Sequence, residues 1–220
     1  MTVVGKGALA ATAAGAAVLL TVALAACGAG APDDVGADEV RELASPSAPA
    51  GPAPSAAAAV PVRPGALPEA AAALAPTRLA IPAIDVVARV DPVGIDPDSG
   101  EFDVPPSVDR VGWYRFGPGL DTGAGSLVIA GHVDGAGQGP GAFFRLRELS
   151  QGDRIEVVAG DQVREFRVVG REEYDKSEIP LDRYFARDGE PRLTLITCGG
   201  PFDAAARRYR DNIVVTAVPA

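Results

Sequence analysis

Apolar and polar positions divide the chain into three textures. Gly7 to Ala26 is an uncharged apolar run with Lys6 just before it. Gly28 to about Pro76 is Ala, Pro, Gly and Ser with no sustained period. From Arg78 onward short runs alternate with period two, the spacing of half-buried strands. Eight such runs stand out: Leu79 to Ile84, Val86 to Val90, Val111 to Phe116, Ser126 to Ala130, Arg154 to Val158, Val163 to Val169, Arg192 to Cys198 and Asn212 to Val218. Pro82 suits an edge or a bulge, because it cannot donate to a ladder. Gly160-Asp161 reads as a hairpin turn and Asp96-Pro97-Asp98-Ser99-Gly100 as a second turn. Phe143 to Leu149 is the best short helix. Many short strands with Gly and Pro punctuation predict an all-β domain, a sandwich or a closed barrel, with short helices or turns in its loops. No internal repeat is present.

The three textures predict three parts: residues 1–27, 28–76 and 77–220. The first run is long enough to span a bilayer as a helix, and the positive charge before it favours an inside N-terminus. Leu24-Ala25-Ala26-Cys27 also fits a bacterial lipoprotein cleavage box, with Cys27 as the lipidated first residue. Signal anchor and lipoprotein signal both tether the rest outside the membrane. Residues 28–76 cannot bury enough apolar surface to offset their ordering entropy, so a spacer is expected. It would reach roughly 40 Å as a coil and about 150 Å fully extended. Asp38 to Leu43 and Pro68 to Leu74 could each form a helical turn within it.

The 47% hydrophobic content is inflated by alanine in the first third, so the core belongs to the C-terminal part. A net charge of −9 with no basic stripe argues against a nucleic-acid partner. The two cysteines, Cys27 and Cys198, lie in different parts, and a disulfide between them is not expected.

Candidate chemistry rests on one cysteine and one histidine. Cys198 ends the run Leu193-Thr194-Leu195-Ile196-Thr197, and His132, the chain's single histidine, follows Leu127-Val128-Ile129-Ala130-Gly131. A thiol and an imidazole, each after a rigid strand, fit a nucleophile with an acid–base partner. The same positions also fit a small buried apolar cysteine and a satisfied polar histidine.

Several ordered motifs resemble the sortases, cysteine transpeptidases of the Gram-positive cell surface. They are Leu79-Ala80-Ile81-Pro82-Ala83-Ile84, Gly131-His132, Phe143-Phe144 with Leu146, Leu149 and Gly152-Asp153-Arg154-Ile155, and Thr194-Leu195-Ile196-Thr197-Cys198. The text around Val111-Gly112-Trp113-Tyr114, His132-Val133-Asp134 and Cys198-Gly199-Gly200-Pro201-Phe202-Asp203 is most similar to class F, with class E neighbouring. The resemblance covers about Thr77 to the C-terminus and implies a closed eight-stranded sortase-like β-barrel. It implies that Cys198 attacks an L-P-x-T-G-type sorting signal of a surface protein and forms a thioester. His132 then serves the leaving and incoming amines, and an amine of a peptidoglycan precursor is the second substrate.

The family also places an arginine at the start of the strand after the cysteine. Arg210, just before Asp211-Asn212-Ile213-Val214-Val215, fits that pattern best, while Arg207 stays open and Arg208 reads as a solvated charge. Thr197 is the candidate substrate contact. Asp134 could orient His132, but a loop role is the better reading. Glu172 and Glu173 read as solvated surface rather than a calcium site, so no metal and no cofactor are expected. Trp113 and Phe202 read as core or cleft wall. The loop from Arg171 to Pro191 corresponds to the segment over the substrate groove in relatives. A monomer is expected, and simple anchoring rather than pilin assembly. The rival readings are a thiol peptidase that mainly hydrolyses the same signal and a non-catalytic tethered binding domain.

Overall fold

Ten strands order the described residues: β1 (Arg78–Ile81), β2 (Val86–Val93), β3 (Arg110–Tyr114), β4 (Ser126–Gly131), β5 (Asp134–Gly135), β6 (Gly139–Pro140), β7 (Arg154–Ala159), β8 (Gln162–Asp175), β9 (Arg192–Asp203) and β10 (Arg208–Pro219). The computed structural model describes residues 34–45, 73–98 and 101–220. Eight strands close a barrel in the order β1-β2-β3-β4-β9-β10-β8-β7, and β5 and β6 form a separate two-stranded ribbon. The β2/β3 and β4/β9 pairs are parallel and the others antiparallel. Closure leaves the barrel no open edge, because β1 pairs with both β2 and β7.

Period two sets the inside of the barrel. Leu79 and Ile81 on β1, Ile155 and Val157 on β7, Leu193 and Leu195 on β9, and Ile213 and Val215 on β10 share one buried cluster. Strand β4 is buried along its whole length, so both of its faces are covered. That explains why Leu127-Val128-Ile129-Ala130 is continuously apolar instead of alternating.

Two expected elements take other forms. The first strand stops at Ile81, and Pro82–Ile84 forms a 3-10 turn. Proline's missing N–H and fixed φ suit the start of a helical turn better than a ladder. Phe143 to Leu149 is likewise a series of turns with a single 3-10 turn at Leu146–Glu148, not an α-helix. Phe143, Leu146 and Leu149 are each pulled fully into the barrel core, and that packing fixes the local path. The Gly160-Asp161 hairpin is present: Ala159 pairs with Gln162, and Gly160 adopts φ +56°.

Part of the stretch read as spacer lies on the barrel. Val35 bridges to Arg171 on β8, and α1 (Ala37–Leu43) follows. Val40 of α1 is buried against Tyr184 and Val214, in a second apolar cluster on the outer face with Tyr174, Ile179, Phe185 and Ile196. This buried valine gives the turn expected near Asp38 to Leu43 a tertiary anchor that composition does not reveal. Ala73 to Ala75 also pack on the core, and Leu120 N–H donates to Leu74 O at 2.9 Å. Most of the turn expected at Pro68 to Leu74, and the apolar run Gly7 to Ala26, lie outside the described residues. Among the described residues no helix is long and apolar enough to cross a membrane.

Candidate active site

Parallel pairing brings the histidine and cysteine strands together. Ala130 on β4 lies beside Ile196 on β9, so His132 and Cys198 both follow two residues later at the same end of adjacent strands. Both side chains line one cavity of about 630 Å³. Its other walls include Asp134, Phe144, Lys176, Phe202, Arg208 and Tyr209. Register decides which way the thiol faces. Cys198 lies opposite Asn212, and Ile196 opposite Val214, on the outer face of the sheet. Thr197 lies opposite Ile213 and therefore faces inward.

That parity removes Thr197 from the cavity. It is buried, and its hydroxyl donates to the Gly131 carbonyl at 2.9 Å. Thr197 thus ties the cysteine strand to the residue before His132.

His132 Nε2 is 3.0 Å from the Pro105 carbonyl. A carbonyl only accepts, so Nε2 carries the proton there, and Nδ1 is the nitrogen left to exchange one. Gly131 is required beside it. A Cβ at Gly131 would lie 2.8 Å from the Phe143 ring and 2.9 Å from Val111 Cγ1.

The arginines separate. Arg207 and Arg208 line the cavity. Arg210, the sequence candidate, is not among the lining residues; its guanidinium is 3.8 Å from Asp203 and its side chain is 64% exposed. Its backbone explains the placement. Asp211 pairs with Gly199 and Tyr209 with Phe202, so Gly200 and Pro201 on β9 face Arg210 alone. Gly200 adopts φ +68°, as a bulge of this kind requires. Asp203 accepts from the N–H groups of Ala206 and Ala205, which hold its carboxyl below the usual range, with Arg210 and Arg208 adding to the effect.

Asp134 does not partner His132. It accepts a hydrogen bond from Tyr209 Oη at 2.5 Å, across the cavity from the β9–β10 hairpin. That bond, with burial, raises the Tyr209 hydroxyl above its ordinary pKa. Phe202 stacks edge-on to Tyr209 at 5.1 Å and forms cavity wall, whereas Trp113 is core, with its indole N–H donating to Pro118 O.

Glu172 corrects the solvated reading. It is 3% exposed, because alternation along β8 sends Glu172 outward under α2 (Leu181–Tyr184) and Glu173 to the other face. Glu172 accepts from Tyr174 at 2.6 Å, Tyr184 at 2.7 Å and Arg183 at 2.9 Å. Among the described residues no cluster of three or more His, Cys, Asp or Glu could hold a metal.

Two contacts escaped the sequence reading. The Pro105 carbonyl has no side-chain signal. Lys176 had one: it is the sole lysine after Lys6, and its Nζ lies 3.4 Å from Cys198 Sγ.

A closed barrel with a cysteine and a histidine at the ends of paired strands defines a thiol acyltransferase of the sortase type. The sortase domain model matches residues 79–220, and the chain belongs to the sortase family. It is a sortase-type cysteine transpeptidase. Among solved structures, it is similar to sortase C-1 of Actinomyces oris, with 22% identity over 65% of this chain and 72% of that one at a TM-score of 0.50. It is also similar to Streptococcus pneumoniae sortase C, with 20% identity over 67% and 69% at a TM-score of 0.51. Sortase C2 of Group B Streptococcus pilus island 1 matches with 18% identity over 65% and 72% at a TM-score of 0.50. At these identities the likeness is one of fold. No curated protein sequence matches the chain.

Proposed function

We infer that this sortase is a class F-like enzyme, tethered outside the membrane by residues 1–27 through an anchor helix or a lipidated Cys27. Its substrate is an L-P-x-T-G-type sorting signal, and its acceptor is an amine of a peptidoglycan precursor. The observation that carries the reading is the shared cavity of Cys198 and His132 at the ends of paired strands.

Cys198 Sγ, as the thiolate, attacks the scissile carbonyl carbon, and the C–N bond breaks as the thioester forms. The imidazolium of His132 gives its Nδ1 proton to the leaving amine. The neutral ring then takes a proton from the incoming amine as that amine displaces the thiolate. The Nε2–H bond to Pro105 keeps the ring aimed through both steps. Arg210 is the proposed oxyanion donor. Its guanidinium stands 3.8 Å from Asp203 and off the cavity wall, and Arg207, on that wall, is the competing candidate. A donor aimed at the oxyanion supplies about 3 kcal/mol.

The test is mass spectrometry of the full chain with an L-P-x-T-G-type peptide library, with and without added amine, beside Cys198→Ala. A peptide carried on Cys198 and passed to the amine is the expected result. Cleavage with water as the only acceptor would leave a peptidase. No adduct on a Cys198 that still alkylates would sink the enzymatic reading. Intact mass after membrane extraction decides the tether: retention of Met1 excludes lipidation at Cys27.

A further inference from the structure

We propose that Lys176 is a catalytic residue of this site: its ammonium lies beside the Cys198 sulfur and balances the negative charge that sulfur carries as nucleophile and as leaving group. The proposal rests on the reading of Cys198 as the nucleophile.

The chain has 20 Lys and Arg, of which only Lys6 and Lys176 are lysine. Everywhere else in the folded part the cation is arginine, a broad planar fork. At the single thiol it is a lysine, a compact point charge on a slender stem. Nζ is 3.4 Å from Sγ, within charge-assisted hydrogen-bond range of a sulfur acceptor.

Lys176 is placed by its backbone. Its N–H donates to the Arg210 carbonyl at 3.1 Å on β10, the strand paired with the cysteine strand. The following turn is pinned by Asp175, whose Oδ1 accepts from Ser177 N–H at 2.9 Å and Ser177 Oγ at 2.5 Å. Among the described residues no carboxylate lies within ion-pair distance of Lys176, so the thiol sulfur is its polar partner.

Among the described residues Lys176 is the cation in hydrogen-bond contact with the Cys198 sulfur, and the other polar groups of the cavity are placed differently. Asp134 is held by Tyr209, His132 Nε2 is held by Pro105, and Arg207 and Arg208 approach from the β9–β10 hairpin. The labour then divides. Lys176 keeps its proton throughout and balances the charge on sulfur, while the thiol proton is lost to solvent when the pair forms. His132 moves the proton that the two amines need. When an incoming amine breaks the thioester C–S bond, the departing thiolate meets the same ammonium.

The test uses the full chain with Lys176→Gln and Lys176→Arg. Alkylation of Cys198 by iodoacetamide is followed at pH 7 and pH 10, with its peptide resolved from that of Cys27 by mass. Lys176→Gln should react about ten-fold more slowly at pH 7, since an opposite charge at this range favours the ionised form by about one order of magnitude or more. The deficit should vanish at pH 10, where a thiol ionises unaided, and Lys176→Arg should restore most of the pH 7 rate. Unchanged denaturation midpoints would accompany this result.

Equal rates for Lys176→Gln and wild type at pH 7 would overturn the proposal. So would an equal deficit at both pH values, or a loss that Arg does not repair. A hydroxylamine-resistant acyl group on Lys176 after turnover would also overturn it, because that requires the neutral amine. Peptide processing by Cys198→Ala would instead remove the nucleophile reading, and with it the catalytic role. The alkylation series would still report the Lys176–Cys198 pair in that case.

Discussion

Gly131 shows how little room surrounds the site. Phe143 and Val111 occupy the space a side chain would need, and the next residue is His132. Gly131→Ala should cost about 1–3 kcal/mol through overpacking. It should also lower turnover more than stability alone explains, because the strain falls on the histidine's own backbone. Urea denaturation beside peptide turnover checks both. Glu172 is the opposite kind of residue, costly to remove because of what it leaves behind. Its carboxylate faces Arg183, and their side chains are 4% and 16% exposed. Glu172→Gln strands a buried guanidinium and should destabilise by about 3 kcal/mol. A denaturation midpoint that hardly moves would show the network to be hydrated. Sequence separated Cys198 and His132 from the rest through chain-wide scarcity and position. It missed the burial of Glu172 and the inward turn of Thr197, because neither letter shows which face of the strand its side chain takes.

At the scale of elements, the loops decide the chemistry and the strands decide the loops. The parallel β2/β3 pair needs a long crossover, residues 94–109, and that crossover delivers the Pro105 carbonyl to His132. The pair itself is held by an ion pair between Asp91 on β2 and Arg110 on β3. The hydrogen bond from Arg110 depresses the Asp91 carboxyl below its usual value, against a smaller opposing effect of burial. A depressed carboxylate adds stability that is complete above its unfolded value, near pH 4, and is lost as pH falls through the folded value. Asp91→Asn should therefore be less stable than wild type at pH 7, with the gap closing below about pH 4. Melting temperatures of both chains from pH 7 to pH 3 would show whether the curves converge. Strand positions were legible from period two, and lengths were not. Strands β8, β9 and β10 run past their apolar cores into Arg171-Glu172-Glu173, Gly199-Gly200-Pro201 and Arg208-Tyr209-Arg210. Pairing with a neighbour extends a strand through Gly, Pro and charged residues that have little strand preference of their own.

Across the whole molecule, the barrel is not all that folds. Val40 and the Val35 bridge add an N-terminal piece to β8 and the outer cluster, from well before β1 in the chain. A chain beginning at Ala73, which keeps the Ala73 to Ala75 packing, should melt several degrees below one beginning at Ala31. It loses a buried valine and exposes Tyr184 and Val214, an effect of about 1–3 kcal/mol. Calorimetry of the two chains compares them directly, and equal midpoints would mean that α1 packs without adding stability.

The sequence alone determined the eight barrel strands, the all-β class, the texture change near Arg78 and the candidate pair of Cys198 and His132. These rest on local period, composition and the rarity of Cys and His, which a linear chain displays. Only the tertiary structure decided the inward turn of Thr197, the burial of Glu172, the arginines on the cavity wall and the contact of Lys176 with Cys198. Each depends on register between strands distant in the chain. One residue of slip sends a side chain to the opposite face, and no local pattern records which register the packed core selects.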